Sequence, residues 1–200
     1  PNLKEKGENR KLSKRFGSVF ASDFLREGYL PEALLNFLMF LGWNPGGERE
    51  IYSLNEFVEE FSLERIHKTD LVAFDREKLL WMNGYYLRNM SANELWQILL
   101  KWSEEYEVDL HTGGAKEDFS VKVIGLIQER IKTLGEFVSL SHYFYHDPVL
   151  EEKLLYKYVK EKTRGQDIIK GFIDLYQQLE EGTWNVKHLE QNSHLFIEKN

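Results

Sequence analysis

The chain is organised around the stretch KLSKRFGSVFASDFLREGYLPEALLNFLMFLGW, residues 11–43, in which a cluster of fixed charges leads into an apolar run. Its first five residues place two lysines, an arginine and a serine between Gly7 and Gly17. The flanking glycines permit backbone angles that other residues resist, so we expect a loop here. Lysine charges and a serine hydroxyl suit a polyphosphate, although similar clusters also occur in many solvated loops.

The second half of the same stretch predicts a helix from Tyr29 to Gly42. Pro31 suits the first helical turn, and Gly42 suits the end of the helix. Leucines and a methionine between them form a broad apolar face. The sequence therefore predicts that a charged loop is followed at once by helices that pack into a core.

Four motifs, taken in this order, resemble bacterial-type glutamyl-tRNA synthetases. They are KLSKR at 11–15, REGYLPEALLN at 26–36, LGWNP at 41–45 and FDREKLLWMNGYYLR at 74–88. The first is similar to the KMSKS-type signature of class I aminoacyl-tRNA synthetases. The resemblance covers essentially the whole chain, and it is denser before residue 88 than after it.

The resemblance implies the C-terminal, tRNA-binding part of a glutamate–tRNA ligase that begins at the KMSKS-type loop. The full enzyme would join glutamate to ATP as an adenylate and transfer it to the tRNA, with ATP and Mg²⁺ as cofactors of the full-length enzyme only. Lys11, Ser13, Lys14 and Arg15 are then the catalytic residues, and Lys14 is the most direct contact to the ATP phosphates. Because the catalytic nucleotide-binding domain precedes this point in the family, we expect the chain alone to be inactive.

The resemblance also implies contacts with tRNA(Glu) along the helical part of the chain. The candidate basic residues are Arg88, Arg130, Lys132, Lys157, Lys160 and Arg164. Arginine pairs well with phosphates and with guanine edges. A surface salt bridge or a solubilising face is the equal alternative for these residues.

Aromatic residues form a second group of candidates for RNA contact. Trp43, Trp81 and the pair Tyr85-Tyr86 can stack on unpaired bases. They lie beside leucines at helical spacing, however, and such aromatic residues are more often buried in a core. The pattern favours the core.

Local signals predict a mainly α-helical protein. Ser53 and Ser91 each precede a glutamate by three residues, as in a capping box, and Asp75 suits a helix start. Only 50–53 and 71–74 have the character of short strands. We therefore expect a helical stem-contact region with at most a small two-stranded element, followed by an α-helical anticodon-binding bundle.

The resemblance and the chain breaks together predict three regions. Residues 1–17 would end a missing catalytic domain with the KMSKS-type loop. Residues 18–90 would form the helical stem-contact region, and 91–200 the first part of the anticodon-binding domain. The chain opens with Pro1, which also suggests a piece of a longer protein.

Composition narrows the function classes. The formal net charge of −7, from 26 Lys and Arg against 33 Asp and Glu, argues against a general nucleic-acid coat protein. An RNA binder with a local basic face stays compatible. The chain has no cysteine, no apolar run of membrane length and no apolar core of a signal peptide. Together with the resemblance, which implies tRNA(Glu) and, in the full-length enzyme, glutamate and ATP as partners, this leads us to expect a cytoplasmic monomer.

Two other functions stay open at this stage. One is a free-standing helical RNA-binding module without a catalytic partner, and the other is a helical protein-interaction domain. His142 and His146 have the i, i+4 spacing of a zinc pair. Without a cysteine or an acidic third ligand in register, the sequence favours packing for this pair and no metal site.

Overall fold

The computed structural model describes residues 2–7, 20–66, 71–147, 157 and 162–199. The chain forms two compact units, Pro1–Asp147 and Pro148–Asn200. The first contains β1 (Asn2–Glu5), α1 (Ala21–Arg26), α2 (Pro31–Phe40), α3 (Leu54–Glu60), β2 (Leu71–Phe74), α4 (Arg76–Arg88), α5 (Ala92–Glu105), α6 (Glu117–Ile127) and α7 (Phe137–Tyr145). The second contains α8 (Lys162–Gln177) and α9 (Val186–Lys199). The prediction of a mainly helical fold with a small sheet is confirmed.

The sheet consists of β1 and β2, paired in parallel from Asn2 opposite Leu71 to Glu5 opposite Phe74. The strand prediction for 71–74 is confirmed, but the prediction for 50–53 is wrong. The backbone around Glu50 and Tyr52 bonds to the Asn36 side chain instead. Tyr52 N donates to Asn36 Oδ1 and Asn36 Nδ2 donates to the Glu50 carbonyl oxygen, both at 3.1 Å. Groups held in this way are not free to join a ladder.

Two clusters of buried side chains form the interior of the first unit. The strand-side core consists of Phe24, Leu34, Phe37, Phe74, Leu79 and Met82. The helical core consists of Leu30, Ala33, Leu87, Leu95, Trp96, Leu99, Trp102, Leu110, Ile124, Ile127, Ile131, Leu134 and Phe137. Helices α2 and α4 contribute to both, so they connect the sheet with the later helices.

The starts of three helices follow the side-chain signals in the sequence. The capping boxes of α3 and α5 are both present. Glu56 N donates to Ser53 Oγ and Glu94 N donates to Ser91 Oγ, both at 3.3 Å. Asp75 Oδ1 accepts from Lys78 N at 3.1 Å and caps α4. These bonds satisfy backbone donors that a helix leaves unpaired at its first turn.

A close backbone approach joins the α1–α2 connection to the segment before α7. Gly28 has a φ of +89°, and its carbonyl oxygen accepts from Leu134 N at 2.9 Å. A Cβ atom at residue 28 would lie 2.7 Å from Leu134 N. Only glycine meets both requirements, the positive φ and the missing side chain.

The second unit is a helical hairpin in the residues that the structure describes. The rings of Phe172 and Phe196 lie 4.4 Å apart, and Tyr176 Oη lies 2.7 Å from Ser193 Oγ. Across the described ranges, every helix is too short or too polar to cross a lipid bilayer.

Candidate nucleic-acid interface

Helix α4 carries the first candidate basic residue at its C-terminal end. Arg88 is half-buried, and its guanidinium group folds back along the helix over the buried Gly84. A Cβ atom at residue 84 would lie 2.8 Å from Arg88 Nη1. The glycine therefore provides the space in which the arginine head lies.

The turn after α6 carries two more candidate basic residues, Arg130 and Lys132, and both are exposed. Two amides hold this turn against α4. Gln128 Nε2 donates to the carbonyl oxygens of Leu87 at 2.8 Å and Met90 at 2.7 Å. Asn83 Nδ2 donates to the Lys132 carbonyl oxygen at 2.5 Å.

The structure thus brings three of the sequence-predicted residues, Arg88, Arg130 and Lys132, onto two segments that are bonded to each other. Among the described residues, no carboxylate lies within 4 Å of the charged nitrogens of these three side chains. The salt-bridge alternative thus has no support in that part of the chain, and the charges are available to an anionic ligand. We therefore treat α4 and the turn 128–133 as the candidate interface.

Helix α4 also exposes two aromatic rings. Trp81 is 46% exposed and Tyr85 39% exposed, and their ring centroids lie 6.3 Å apart. The prediction that they belong to the core is wrong, because they lie on the face of α4 opposite Leu79, Met82 and Leu87. The prediction is confirmed for Trp43, which is 2% exposed.

Tyr86 is half-buried and turned inward, in agreement with the prediction. Its hydroxyl lies 3.0 Å from Asn36 Oδ1 and 3.0 Å from the Tyr52 carbonyl oxygen. Burial raises the pKa of this phenol above its ordinary value. Of the adjacent tyrosines, only Tyr85 is therefore available to an external partner.

The first turn of α4 is tied through its capping residue to Lys6, which directly follows β1. Lys6 Nζ donates to Asp75 Oδ2 at 2.5 Å, and the other carboxylate oxygen caps the helix. Burial acts to raise the pKa of Asp75, but the hydrogen bonds from Lys6 and Lys78 outweigh it, so the pKa lies below its ordinary value. Asp75 is therefore charged at neutral pH and holds the start of the helix.

The remaining candidate basic residues belong to the second unit. Lys157 and Arg164 are exposed there, and each has an interaction with another group. Lys160 lies outside the described residues, as do Lys11, Ser13, Lys14 and Arg15. The phosphate-binding role of the 11–15 cluster and the RNA-binding role of Lys160 accordingly stay predictions.

The histidine pair belongs to the first unit. The rings of His142 and His146 lie 4.8 Å apart, and His146 Nε2 lies 2.7 Å from the His111 carbonyl oxygen. Within the part of the chain that the structure describes, no three His, Cys, Asp or Glu side chains are placed to hold a metal ion. The contact with a carbonyl oxygen gives the His146 ring a structural role.

Asn83 and Gln128 are site residues that sequence reasoning does not single out. Both lie in helical patterns, where an amide is typical of a solvated face. Their partners are backbone carbonyls 41 and 49 residues away in the chain, and nothing local signals such bonds.

Two family models match the chain, and the boundary between their matched ranges lies at α4, within the candidate interface. The catalytic domain of class I tRNA synthetases (E and Q) matches residues 3–81, and an anticodon binding domain matches residues 89–200. Arg88 lies between the two matched ranges, whereas Arg130 and Lys132 lie in the second.

Curated relatives of the chain are named as glutamate–tRNA ligases. The chain is 40% identical over 148 residues to a glutamate–tRNA ligase of Prosthecochloris aestuarii, which covers 70% of this chain and 29% of that protein. It is 32% identical over 174 residues to glutamate–tRNA ligase 2 of Caldicellulosiruptor saccharolyticus, covering 86% of this chain and 35% of the relative. The chain thus spans about a third of the length of these relatives.

A solved structure has a similar fold. A glutamate tRNA ligase from Elizabethkingia meningosepticum, crystallised with its amino acid, aligns with a TM-score of 0.74 and 25% identity. The alignment covers 99% of this chain and 41% of that one.

Proposed function

Because this chain belongs to the glutamyl-tRNA synthetase family, we propose that it is the tRNA-binding part of a glutamate–tRNA ligase. The observation that carries the proposal is the interface of α4 and the turn 128–133. It combines the basic groups of Arg88, Arg130 and Lys132, which have no ion pair among the described residues, with the exposed rings of Trp81 and Tyr85 on α4. Its position at the junction of the two matched ranges supports a role in holding tRNA along its length.

Each chemical type has its own task in this proposal. The guanidinium groups of Arg88 and Arg130 pair with phosphates, or with a base edge where one is unpaired. The rings of Trp81 and Tyr85 offer π-faces to a base or a ribose. Because the chain carries a net charge of −7, binding has to be local to this basic surface.

The second unit would extend the RNA contact through Lys157, Lys160 and Arg164. We keep the division into a catalytic-domain end at 1–17, a stem-contact region at 18–90 and an anticodon-binding region at 91–200 as part of the proposal. The anticodon-binding match over residues 89–200 supports the last of these boundaries.

For the longer enzyme we propose that glutamate is activated with ATP and Mg²⁺ and then transferred to tRNA(Glu). Lys11, Ser13, Lys14 and Arg15 would neutralise the charge that develops on the departing pyrophosphate, with Lys14 closest to the phosphates. A role in protein synthesis implies the cytoplasm as its place of action. We propose a monomer as the working form.

Salt-dependent binding tests the proposal directly. A tRNA(Glu) transcript is titrated with the 200-residue chain by filter binding at two salt concentrations. We expect saturable binding that weakens steeply with salt, because phosphate contacts release counterions. Binding that is absent, or insensitive to salt, would contradict the proposal and favour a protein-interaction domain.

A pair of matched variants then locates the interface. Arg130→Ala should weaken binding about tenfold. It should also reduce the slope of log binding constant against log salt concentration by about one, as expected for the loss of one phosphate contact. Arg65→Ala removes the same charge from an exposed side chain whose guanidinium Nη1 bonds to the Pro45 carbonyl oxygen at 2.8 Å. It should change neither quantity, and equal losses from both variants would contradict the proposed location.

A further inference from the structure

Two asparagines of the first unit are completely buried, and their amides bond in the same way. Asn36 and Asn83 are each 0% exposed. In each, Oδ1 accepts a backbone N–H and Nδ2 donates to a backbone carbonyl. The two differ in what they connect, since Asn36 binds the segment 50–52 and the Tyr86 hydroxyl of α4, whereas Asn83 binds the turn that carries Arg130 and Lys132.

Asn83 bridges two distant parts of the chain across α4. Its Oδ1 accepts from Leu30 N at 2.8 Å, directly before α2. Its Nδ2 donates to the Lys132 carbonyl oxygen at 2.5 Å. A buried amide with both ends engaged has one stable orientation, because turning it over would break both bonds and leave buried groups unpaired.

Three sets of hydrogen bonds to distant parts of the chain hold the turn 128–133 and Leu134, which follows it. Gln128 donates to carbonyl oxygens in the last turn of α4 and just after it. Asn83 donates to the Lys132 carbonyl oxygen, and Leu134 N donates to the Gly28 carbonyl oxygen at 2.9 Å. The turn has no regular helix of its own, since α6 ends at Ile127. Arg130 N and Ile131 N also donate to the Ile127 carbonyl oxygen, at 2.8 and 3.0 Å, and Ile131 is buried. The side-chain amides thus add to the backbone bonds and packing that place Arg130 relative to Arg88.

We propose that Asn83 and Gln128, here called the amide clasp, are positioning residues that fix the spacing between Arg88 and Arg130 for the phosphates of a bound RNA. This inference rests on the proposed tRNA-binding function. Phosphates in a folded RNA lie at set separations, and two arginines whose main chains are held in place lose less freedom on binding than two on mobile segments. The amide clasp thus acts on affinity through the arginines, without touching the RNA.

The test uses the same substitution at both asparagines. Asn83→Asp removes the donor to Lys132 and keeps the acceptor for Leu30 N. Asn36→Asp likewise removes the donor to Glu50 and keeps the acceptor for Tyr52 N and for the Tyr86 hydroxyl. Both bury a carboxylate, so both should lower the unfolding midpoint to a similar extent.

Only Asn83→Asp should weaken tRNA(Glu) binding, by about tenfold under conditions in which both variants are folded. The decisive measurement is a double-mutant cycle with Arg130→Ala. In the Asn36→Asp background this second change should cost as much affinity as in the wild-type chain. In the Asn83→Asp background it should cost much less, because the arginine is already out of place.

A second variant carries the test if Asn83→Asp does not fold. Gln128→Met keeps the length of a half-buried side chain and removes the donor to Leu87 and Met90. Gln97→Met is the matched control, since Gln97 is exposed and its amide donates to Glu117 on α6, at 2.7 Å. Binding should fall with the first and stay unchanged with the second.

The outcomes separate the two proposals. If the wild-type chain shows no salt-dependent tRNA binding, the proposed function fails, and the amide clasp fails with it. If the wild-type chain binds but Arg130→Ala has its full effect in every background, the amide clasp alone is overturned. Equal loss of affinity in Asn36→Asp and Asn83→Asp has the same meaning, because it would reduce the effect to general destabilisation.

Discussion

Helices α3 and α5 begin with the same capping box but have different surroundings. In both, a serine hydroxyl accepts the N–H of a glutamate three residues on, and that glutamate bonds back to the serine. Helix α5 buries Leu95, Trp96, Leu99 and Trp102, whereas α3 buries no residue at all. A cap thus decides where a helix begins, and packing decides how much it contributes to the stability of the fold.

This difference predicts different behaviour on unfolding. Residues of α5 belong to the helical core and should unfold only with the whole first unit. Helix α3, with Leu54 56% exposed and Val58 67% exposed, should open locally at a lower free energy. The four predictions below test this contrast, from the largest expected effect to the smallest.

The largest effect should come from truncation in the helical core. Leu99 is 0% exposed, and Leu99→Ala should lower the free energy of unfolding by about 2–5 kcal/mol, through lost burial and the cavity left behind. Val58→Ala on α3 removes a mostly exposed side chain and should change it by less than about 0.5 kcal/mol. Urea unfolding followed by circular dichroism measures both, and similar losses would remove the contrast.

The next effect concerns two glycines with positive φ. Gly28, at +89°, packs against Leu134 of the helical core, whereas at Gly46, at +85° before α3, no described atom lies within 4 Å of the place that a Cβ atom would take. Gly28→Ala should lower the free energy of unfolding by about 2–4 kcal/mol, from backbone strain and steric overlap together. Gly46→Ala should lower the free energy of unfolding by about 1 kcal/mol, from backbone strain alone. Equal costs in urea unfolding would mean that the close approach at Gly28 relaxes freely.

The caps themselves should give a smaller effect, different in kind for the two helices. Ser91→Ala should lower the global free energy of unfolding by about 1 kcal/mol, because α5 unfolds with the core. Ser53→Ala removes an equivalent bond but should leave the global value unchanged and speed amide hydrogen exchange within α3 only. Slowly exchanging amides in α3 of the Ser53→Ala protein would contradict its local opening.

The same contrast shows what the sequence alone predicts. Caps are local, so Ser53, Ser91 and Asp75 mark helix starts correctly. Burial depends on distant partners, so the pattern that places Trp43 correctly in the interior fails for Trp81 and Tyr85 on α4. The strand at 71–74 is recognisable from its apolar run, but its partner β1 is a charged segment far earlier in the chain that carries no strand signal of its own.

The candidate site shows the same division. Arg88, Arg130 and Lys132 follow from a resemblance in the sequence, and the structure shows the bonds that bring their segments together. Asn83 and Gln128 make those bonds to main-chain atoms, and any residue type presents such atoms to a partner. A single sequence therefore gives no sign of them, whatever the strength of its motifs.

The smallest effect is a pH dependence confined to α3. Hydrogen bonds from Arg49 and from the backbone and side chain of Ser53 lower the pKa of Glu56 from 4.5 to about 2. A carboxyl group whose pKa is lowered in the folded state stabilises that state above its unfolded pKa. This stabilisation is lost as the pH falls through the folded-state pKa of Glu56. The pH window for the loss therefore runs from about pH 4.5 down to about pH 2.

Trp43 reports on this window, because its ring packs 4.8 Å from Phe57 of α3 and its indole N–H donates to the Ser62 carbonyl oxygen at 3.2 Å. In the wild-type chain, the indole N–H resonance of Trp43 should shift as the pH falls through the window, since α3 loosens when Glu56 is protonated. In Glu56→Gln, which cannot ionise, that part of the shift should be missing. The matched change on α5, Glu94→Gln, removes a carboxylate whose pKa Ser91 also lowers, and it should leave the Trp43 resonance as in the wild type. A shift that persists in Glu56→Gln would mean that other carboxylates control the opening of α3, and the contrast between the two capped helices would then rest on packing alone.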